Sequence, residues 1–165
     1  MDTRPPIHLF TDGAASGNPG PGGYGVVLVC GNLRKEMSEG YALTTNNRME
    51  LLAVIKGLEA IQWKAAQVEV YSDSSYVVDA VENGWIWRWR ANGYKNKKNI
   101  DLWERFIPLY KQHDVHFHWL KGHAGHPENE RCDRLAVEAY SSGGVLLKDE
   151  GYEASREPEE GLFGN

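Results

Sequence analysis

The sequence predicts an α/β fold with five strands, and three patterns support that prediction. Short apolar runs in the first part of the chain are separated by turn residues, which is typical of an antiparallel meander. Apolar residues then recur at helical spacing, and later strand-like runs alternate with further helical segments. The 165 residues are enough for one hydrophobic core. The predicted order of elements is βββαβααβα.

Five segments have the pattern of strands. They are residues 7–13, 23–30, 34–42, 68–73 and a run that starts at Val115. The first three are joined by short turns and form the predicted meander. If the first and fourth strands are parallel neighbours, their carboxyl ends lie about 4.8 Å apart.

Helices are predicted between and after these strands. They cover residues 47–62, 75–82, 101–112 and 127–140, with one more in the aromatic stretch before residue 101. Thr44 and Thr45 offer N-caps for the first helix, and Ser74 offers one for the second. Pro127 suits the first turn of the last helix because its missing N–H is not needed there.

Charge is distributed unevenly along the chain. The formal net charge of −5 disfavours nucleic acid at first sight, but residues 148–165 hold six acids and two bases, which leaves about −1 for the rest. Residues 83–100 hold five bases and no acid, interleaved with aromatic residues, which indicates an anion-binding surface. We therefore predict one domain at residues 1–142 with a basic protrusion at 83–100, followed by an acidic, flexible tail at 143–165.

Nothing in the sequence predicts export or membrane insertion. The opening residues lack an apolar run of signal-peptide length, and no stretch approaches the roughly 18 apolar residues of a membrane span. Cys30 and Cys132 have no spacing that suggests a disulfide framework or a zinc knuckle. We expect a cytoplasmic monomer with no membrane contact and no obligate protein partner.

Four acids fall where a single site could form. Asp12 and Asp73 end the first and fourth strands, Glu50 lies in the first turn of the long helix, and Asp133 lies in the last helix. In α/β sheets, ligands bind outside the carboxyl ends of the strands. Clustered carboxylates repel one another unless hard cations share the site, and Mg²⁺ prefers such oxygen ligands. Each acid alone also fits a turn, a helix cap or a solvated helix position, so spacing leaves both interpretations open.

Long strings surround these acids: FTDGAASGNPGPGGYG, TTNNRMELLAV, YSDSSYVV and WLKGHAGHPENERCDRLA. In this order they resemble the four signature blocks of the bacterial ribonuclease H type I family, over most of residues 8–140. The resemblance implies a ribonuclease H-like fold, in which an antiparallel meander and two parallel strands form one sheet flanked by helices on both faces. It also implies hydrolysis of the RNA strand of RNA/DNA hybrids, with 5′-phosphate and 3′-hydroxyl products.

The resemblance further implies roles for the site residues. Asp12, Glu50, Asp73 and Asp133 would be the catalytic carboxylates, with two Mg²⁺ ions, or Mn²⁺ as a substitute, bound together with substrate. Asp12 would bridge both ions, Asp133 would serve the ion that activates water, and the other two would hold the ion at the leaving 3′ oxygen. His123 matches a catalytic-loop histidine that handles protons or product release, although from the residues alone it is a surface histidine in a glycine-rich loop.

Substrate contacts are implied for a second group of residues. Polar side chains can read the 2′-hydroxyl groups of a hybrid minor groove. The residues that match the family's groove positions are Asn18, Asn46, Asn47 and Ser75, the last where the family often has Gln. Thr45 and Asn99 resemble a pocket for a phosphate of the DNA strand, although both also fit helix caps.

The basic protrusion resembles a handle with which some bacterial members grip the duplex, here with a shorter lysine-bearing part. Its exposed bases would neutralise phosphates, which makes affinity fall with salt. The candidate contacts are Trp85, Arg88, Lys95, Lys97 and Lys98. Trp85 lies four residues before Trp89, a spacing that also fits packing on a helix face.

Two other classes of function remain open. A non-catalytic hybrid-binding module would share the fold, although the presence of all four acids favours an enzyme. A zinc hydrolase could use imidazole and thiolate ligands near the last strand and helix. Those candidates are His116, His118, His123, His126 and Cys132.

Overall fold

The secondary structure is taken from a computed structural model that describes residues 3–122 and 125–156. Within them the chain forms one five-stranded sheet and six helices. The strands are β1 (Ile7–Ala15), β2 (Gly20–Cys30), β3 (Leu33–Thr44), β4 (Gln67–Ser72) and β5 (Asp114–Trp119). The helices are α1 (Asn46–Glu59), α2 (Ser75–Glu82), α3 (Trp85–Ala91), α4 (Ile100–Gln112), α5 (Pro127–Ser141) and α6 (Glu150–Ser155).

The sheet has the strand order β3-β2-β1-β4-β5. β2 pairs antiparallel with both β1 and β3, whereas β4 pairs parallel with β1 and with β5. The predicted mixed sheet with an antiparallel meander is therefore confirmed. β3 is longer than predicted because it pairs with almost the whole of β2, while its many exposed polar side chains give only a weak strand pattern.

Helices cover both faces of the sheet. Directly paired residues of antiparallel strands have side chains on the same face. Asp12 pairs with Gly25 and Gly13 with Tyr24, so these two pairs face opposite sides. The backbone of α1 lies against Gly13 and that of α5 against Gly25, which puts the two helices on opposite faces. No helix of the described ranges is both long and apolar enough to cross a membrane.

Helix starts follow the predicted caps. Thr45 accepts a hydrogen bond from the Arg48 backbone N–H at the start of α1, and Ser74 accepts one from Val77 at the start of α2. Both caps satisfy an N–H that has no partner inside its own helix. The aromatic stretch contains α3, as predicted, whereas α1 ends at Glu59, earlier than the predicted end at residue 62.

Part of the segment predicted as a flexible tail contacts the rest of the fold. The Leu147 backbone donates to the Gly40 carbonyl and accepts from the Ala42 N–H, both at 2.8 Å, so it pairs with β3. Asp149 is 8% exposed and accepts a hydrogen bond from the Tyr152 N–H, which caps α6. The domain therefore continues past the predicted boundary at residue 142 as far as residue 156. Residues 157–165 lie outside the described part of the chain.

A buried guanidinium holds this segment in place. Arg48 is 2% exposed and donates to both carboxylate oxygens of Asp149, at 2.8 and 2.9 Å. It also donates to both oxygens of Asp101 in α4, at 2.9 and 2.7 Å, while Thr44 donates to Asp149 at 2.7 Å. Buried charges are tolerated when they are paired and fully hydrogen-bonded. Arg48 therefore connects α1, α4 and the C-terminal segment.

Replacing Arg48 with alanine should strongly destabilise the fold, because Asp149 would keep a buried charge without its partner. The expected loss in the free energy of unfolding is roughly 3–5 kcal/mol, measured by urea denaturation followed by circular dichroism. Arg105→Ala is the control, since it breaks an exposed ion pair with Glu59 and should cost at most about 1 kcal/mol. Equal losses in the two variants would contradict the connecting role of Arg48.

Candidate active site

The four acids predicted from the sequence meet at the carboxyl ends of β1 and β4. Asp12 lies in β1, Glu50 in α1, Asp73 directly after β4 and Asp133 in α5. One carboxylate oxygen from each of the first three lies within 4.8 Å of the others. Asp133 hydrogen-bonds to Asp12. Four elements that are distant in sequence thus bring their carboxylates to one place.

A glycine lets α1 approach the end of β1. A Cβ atom at Gly13 would lie 2.3 Å from the Glu50 backbone nitrogen, so any larger residue would force the helix away. The Gly13 N–H donates to Glu50 Oε1 at 2.6 Å. This bond fixes the carboxylate of Glu50, which is 6% exposed, beside Asp12, which is 3% exposed.

A second glycine lets α5 bring Asp133 to the site. A Cβ atom at Gly25, the residue paired with Asp12 across the sheet, would lie 2.1 Å from the Cys132 carbonyl oxygen. The close approach of α5 at this point places the next residue, Asp133, beside Asp12. The position of Asp133 therefore depends on residue 25 in β2 being a glycine.

Asn129 is a site residue that the sequence interpretation missed. Its Nδ2 donates to the carbonyl oxygens of Thr11 and Tyr71, at 3.4 and 3.1 Å. These carbonyls lie on the adjacent parallel strands β1 and β4, just before the ends that carry Asp12 and Asp73. Asn129 is 1% exposed, and its Oδ1 receives no hydrogen bond from the described residues. Its position four residues before Asp133, on the same helix face, is the signal that could have identified it.

Burial and the charges of neighbouring acids make Asp12 and Glu50 hard to ionise. Burial, followed by the charges of Asp73 and Asp133, raises the pKa of Asp12 to about 8. Burial, followed by the charges of Asp12 and Asp73, raises the pKa of Glu50 well above its usual value, although the Gly13 N–H opposes the shift. A bound cation would favour the ionised forms of all these groups.

The donor atoms of this cluster fit a hard divalent cation. They are carboxylate oxygens, which such ions prefer, and they converge from several directions on a partly buried place. Burial first, and then the charges of the neighbouring acids, disfavour the ionised forms of Asp12 and Glu50, and a bound cation would offset both effects. The geometry and the electrostatics therefore both point to a metal site.

Most predicted substrate-binding residues surround a cavity of about 870 Å³ beside the first turn of α1. Those that line it are Asn18, Thr45, Asn47, Lys97, Lys98 and Asn99. The Asn18 side chain accepts from the Asn46 N–H at 2.9 Å, which ties the loop before β2 to α1. Asn99 accepts from Arg48 at 3.3 Å and donates to the Tyr76 hydroxyl at 3.0 Å. The cavity is thus built from polar and basic groups held by the surrounding fold.

The other predicted contacts lie outside the lining of this cavity. Ser75 is exposed at the start of α2, two residues after Asp73. Arg88 and Lys95 are exposed on the basic protrusion. The Trp85 ring lies 6.4 Å from that of Trp89, which supports a packing role for it.

The described residues give no support to the zinc alternative. His116 pairs with Asp114 at 3.0 Å and His118 with Glu69 at 2.8 Å. Burial, followed by the charge of Asp12, raises the pKa of the Cys132 thiol, which disfavours the thiolate that zinc would need. His123 lies outside the described residues, so its predicted catalytic role stays a prediction.

The fold and the acidic site together define a nuclease class of α/β domain, and comparison with known proteins identifies the family. Residues 4–141 match the RNase H family, and the chain belongs to that family. It is 61% identical to a ribonuclease H of Desulforamulus reducens over 138 residues, which cover 81% of this chain and 86% of that protein.

Two solved structures are similar in fold. LC9-RNase H1, a type 1 RNase H with the type 2 active-site motif, is 30% identical with a TM-score of 0.75; the match covers 94% of this chain and 83% of that one. LC11-RNase H1, solved in complex with an RNA/DNA hybrid, is 28% identical with a TM-score of 0.61, and the match covers 82% and 97%.

Asp12→Asn should stabilise the protein in the absence of divalent metal. A raised pKa means that Asp12 binds its proton more tightly in the folded state, so its contribution to stability falls as pH rises from about 4 to about 8. The variant should therefore melt above the wild type in EDTA, by an amount that grows over this range; each kcal/mol corresponds to about 2–4 °C. Glu82→Gln, which removes an exposed acid, is the control. A variant that melts below the wild type at pH 8 would contradict this account.

Asn129→Ala should disturb the spacing of the strand ends. Two buried carbonyls would lose their donor, at an expected cost of about 1–3 kcal/mol in unfolding free energy. Because Asp12 lies one residue and Asp73 two residues after these carbonyls, binding of Mn²⁺ measured by titration calorimetry should weaken as well. The control is Asn92→Ala, which removes an exposed asparagine whose side chain also hydrogen-bonds to a backbone group, the Lys95 N–H. Unchanged Mn²⁺ affinity in Asn129→Ala would reject the role in positioning.

Proposed function

We propose that Asp12, Glu50, Asp73 and Asp133 hold Mg²⁺ ions at the reaction centre of this ribonuclease H. The observation that carries the proposal is the meeting of four carboxylates from four separate elements, two of which, Asp12 and Glu50, have pKa values raised by burial and repulsion. The chain is an endoribonuclease that acts on RNA/DNA hybrids, the activity of its family. The metal, the site residues and the order of events belong to the proposal.

The reaction is hydrolysis of a phosphodiester in the RNA strand. Water attacks phosphorus in line with the 3′ oxygen, which leaves as a 3′-hydroxyl, while the phosphate stays on the 5′ end of the next nucleotide. When bound, the divalent ions supply charge for this displacement by polarising the phosphoryl oxygens and lowering the pKa of water. Mn²⁺ has the same oxygen preference and is the expected substitute.

The residues have different positions in this scheme. Asp12 is central, since it interacts with each of the other three acids, which supports its role as the carboxylate shared between two ions. The Glu50 carboxylate is held by a hydrogen bond from the Gly13 N–H. Asp133 approaches from α5 on the opposite side of the sheet from α1, which supports different duties for Asp133 and Glu50. We assign Asp133 to the side of the attacking water, with Glu50 and Asp73 on the side of the leaving oxygen. His123 would handle protons or product release.

Recognition of the hybrid rests on the groups beside the acids. Asn18, Asn46, Asn47 and Ser75 offer donors and acceptors for minor-groove 2′-hydroxyls. Thr45 and Asn99, on the wall of the polar cavity, would receive a phosphate of the DNA strand. The exposed bases of the protrusion, Arg88, Lys95, Lys97 and Lys98, would neutralise further phosphates. LC11-RNase H1, which binds an RNA/DNA hybrid, supports the same substrate for this chain. We expect a cytoplasmic monomer.

The test is cleavage of an end-labelled RNA/DNA hybrid, with RNA/RNA and DNA/DNA as comparisons. We expect cleavage of the RNA strand of the hybrid with Mg²⁺ and none with EDTA. Asp12→Asn should lose about 10²- to 10³-fold in rate, the scale of removing one electrostatic element of a reaction centre. Glu82→Gln should retain the wild-type rate. Cleavage of DNA/DNA, activity in EDTA, or a wild-type rate in Asp12→Asn would refute the proposal.

A further inference from the structure

The helix α6 forms one wall of the polar cavity beside α1. The side facing the cavity carries Gly151, Tyr152, Ala154, Ser155 and Arg156. Glu150 and Glu153, the two acids of this helix, are not among the lining residues, and Glu153 pairs with Lys148 at 3.7 Å. An acidic segment therefore presents only its neutral and basic side to the cavity.

The cavity has the character of an anion site. Three bases line it, Lys97 and Lys98 from the protrusion and Arg156 from the end of α6. One acid, Asp101, also lines it. Arg48 pairs with both Asp101 and Asp149, so these three groups together carry one negative charge, and the three bases leave the region net positive. Net positive charge around a polar cavity favours a phosphate or another anion.

The position of Arg156 is fixed by the fold. Its guanidinium carbon lies 5.9 Å from the centre of the Tyr152 ring, a cation–π distance. Tyr152 is held because its N–H donates to Asp149, which Arg48 binds. A Cβ atom at Gly151 would lie 1.9 Å from an oxygen of Asp101, so α6 packs directly on the Arg48 network. The C-terminal segment is thus held by contacts with α1 and α4.

We propose that α6 completes the substrate channel and that Arg156 binds a backbone phosphate of the duplex in this cavity, opposite Thr45 and Asn18. This rests on the proposed function, which places a duplex against the same cavity, and it extends the contact surface to a part of the chain that its acidic composition would exclude. Arg156 is a binding residue here and has no part in the chemical step.

Arg156→Ala tests the proposal, with Lys148→Ala as the matched control. Both variants remove one base from the same segment, but Lys148 does not line the cavity. Binding of a labelled RNA/DNA hybrid is measured by fluorescence anisotropy in EDTA, where no cleavage occurs, over a range of salt concentrations. One lost phosphate contact should lower the salt slope by about 1 in Arg156→Ala. It should also raise Kd about two- to fivefold, the range for one exposed ion pair. Lys148→Ala should match the wild type.

Kinetics and a second variant complete the test. In Mg²⁺, Arg156→Ala should raise KM with kcat unchanged, because the lost contact is equal in ground and transition states. Arg156→Lys should recover most of the affinity. Equal effects in Arg156→Ala and Lys148→Ala, or no effect in either, would overturn the proposal while wild-type cleavage of the hybrid continues. Failure of the wild type to cleave the hybrid would instead refute the proposed function.

Discussion

Repulsion among buried carboxylates is the constraint on which the rest of this structure depends. Separated acids in water ionise freely, whereas here burial and neighbouring charges raise the pKa of Asp12 to about 8. The fold holds the acids together against that cost. Because Gly13 and Gly25 have no side chains, α1 and α5 can pack close to the strands. Asn129 hydrogen-bonds to carbonyls of both β1 and β4. The surrounding packing therefore maintains an arrangement that is unfavourable without a cation.

The Arg48 network shows the opposite electrostatic arrangement. Its guanidinium donates four hydrogen bonds of 2.7–2.9 Å to the carboxylates of Asp149 and Asp101, so its positive charge offsets most of the local negative charge. Burial alone would raise the pKa of Asp101, but its bonds to Arg48 lower it. Both clusters are buried or partly buried and charged, and they differ in whether the charge is compensated. Uncompensated charge marks a place that binds something from outside, and compensated charge marks a connection within the fold.

Local patterns sufficed for most strands and helices, since the strands are apolar runs and Thr45 and Ser74 are ordinary helix caps. Spacing alone left each of the four acids open to another interpretation, and the resemblance to the family grouped them. They failed where the partner is far away in sequence. Asp149 binds Arg48, which lies 101 residues earlier in the sequence. The acidic composition of the C-terminal segment gives no sign of this ion pair. Asn129 was missed for the same reason, because its importance comes from two carbonyls on other strands. Composition predicts disorder only when no tertiary partner exists.

The first turn of α1 relates the polar cavity to the acids. Thr45, at its cap, lines the cavity, and Glu50, five residues on, belongs to the acidic site, a rise of about 7.5 Å along a helix. Arg48 lies between them and ties this turn to α4 and to the C-terminal segment. These contacts hold the first turn of α1 in place relative to α4 and the C-terminal segment. If a duplex phosphate binds in the cavity as proposed, its distance from the acids is set by this turn, and the scissile bond would be selected by that distance.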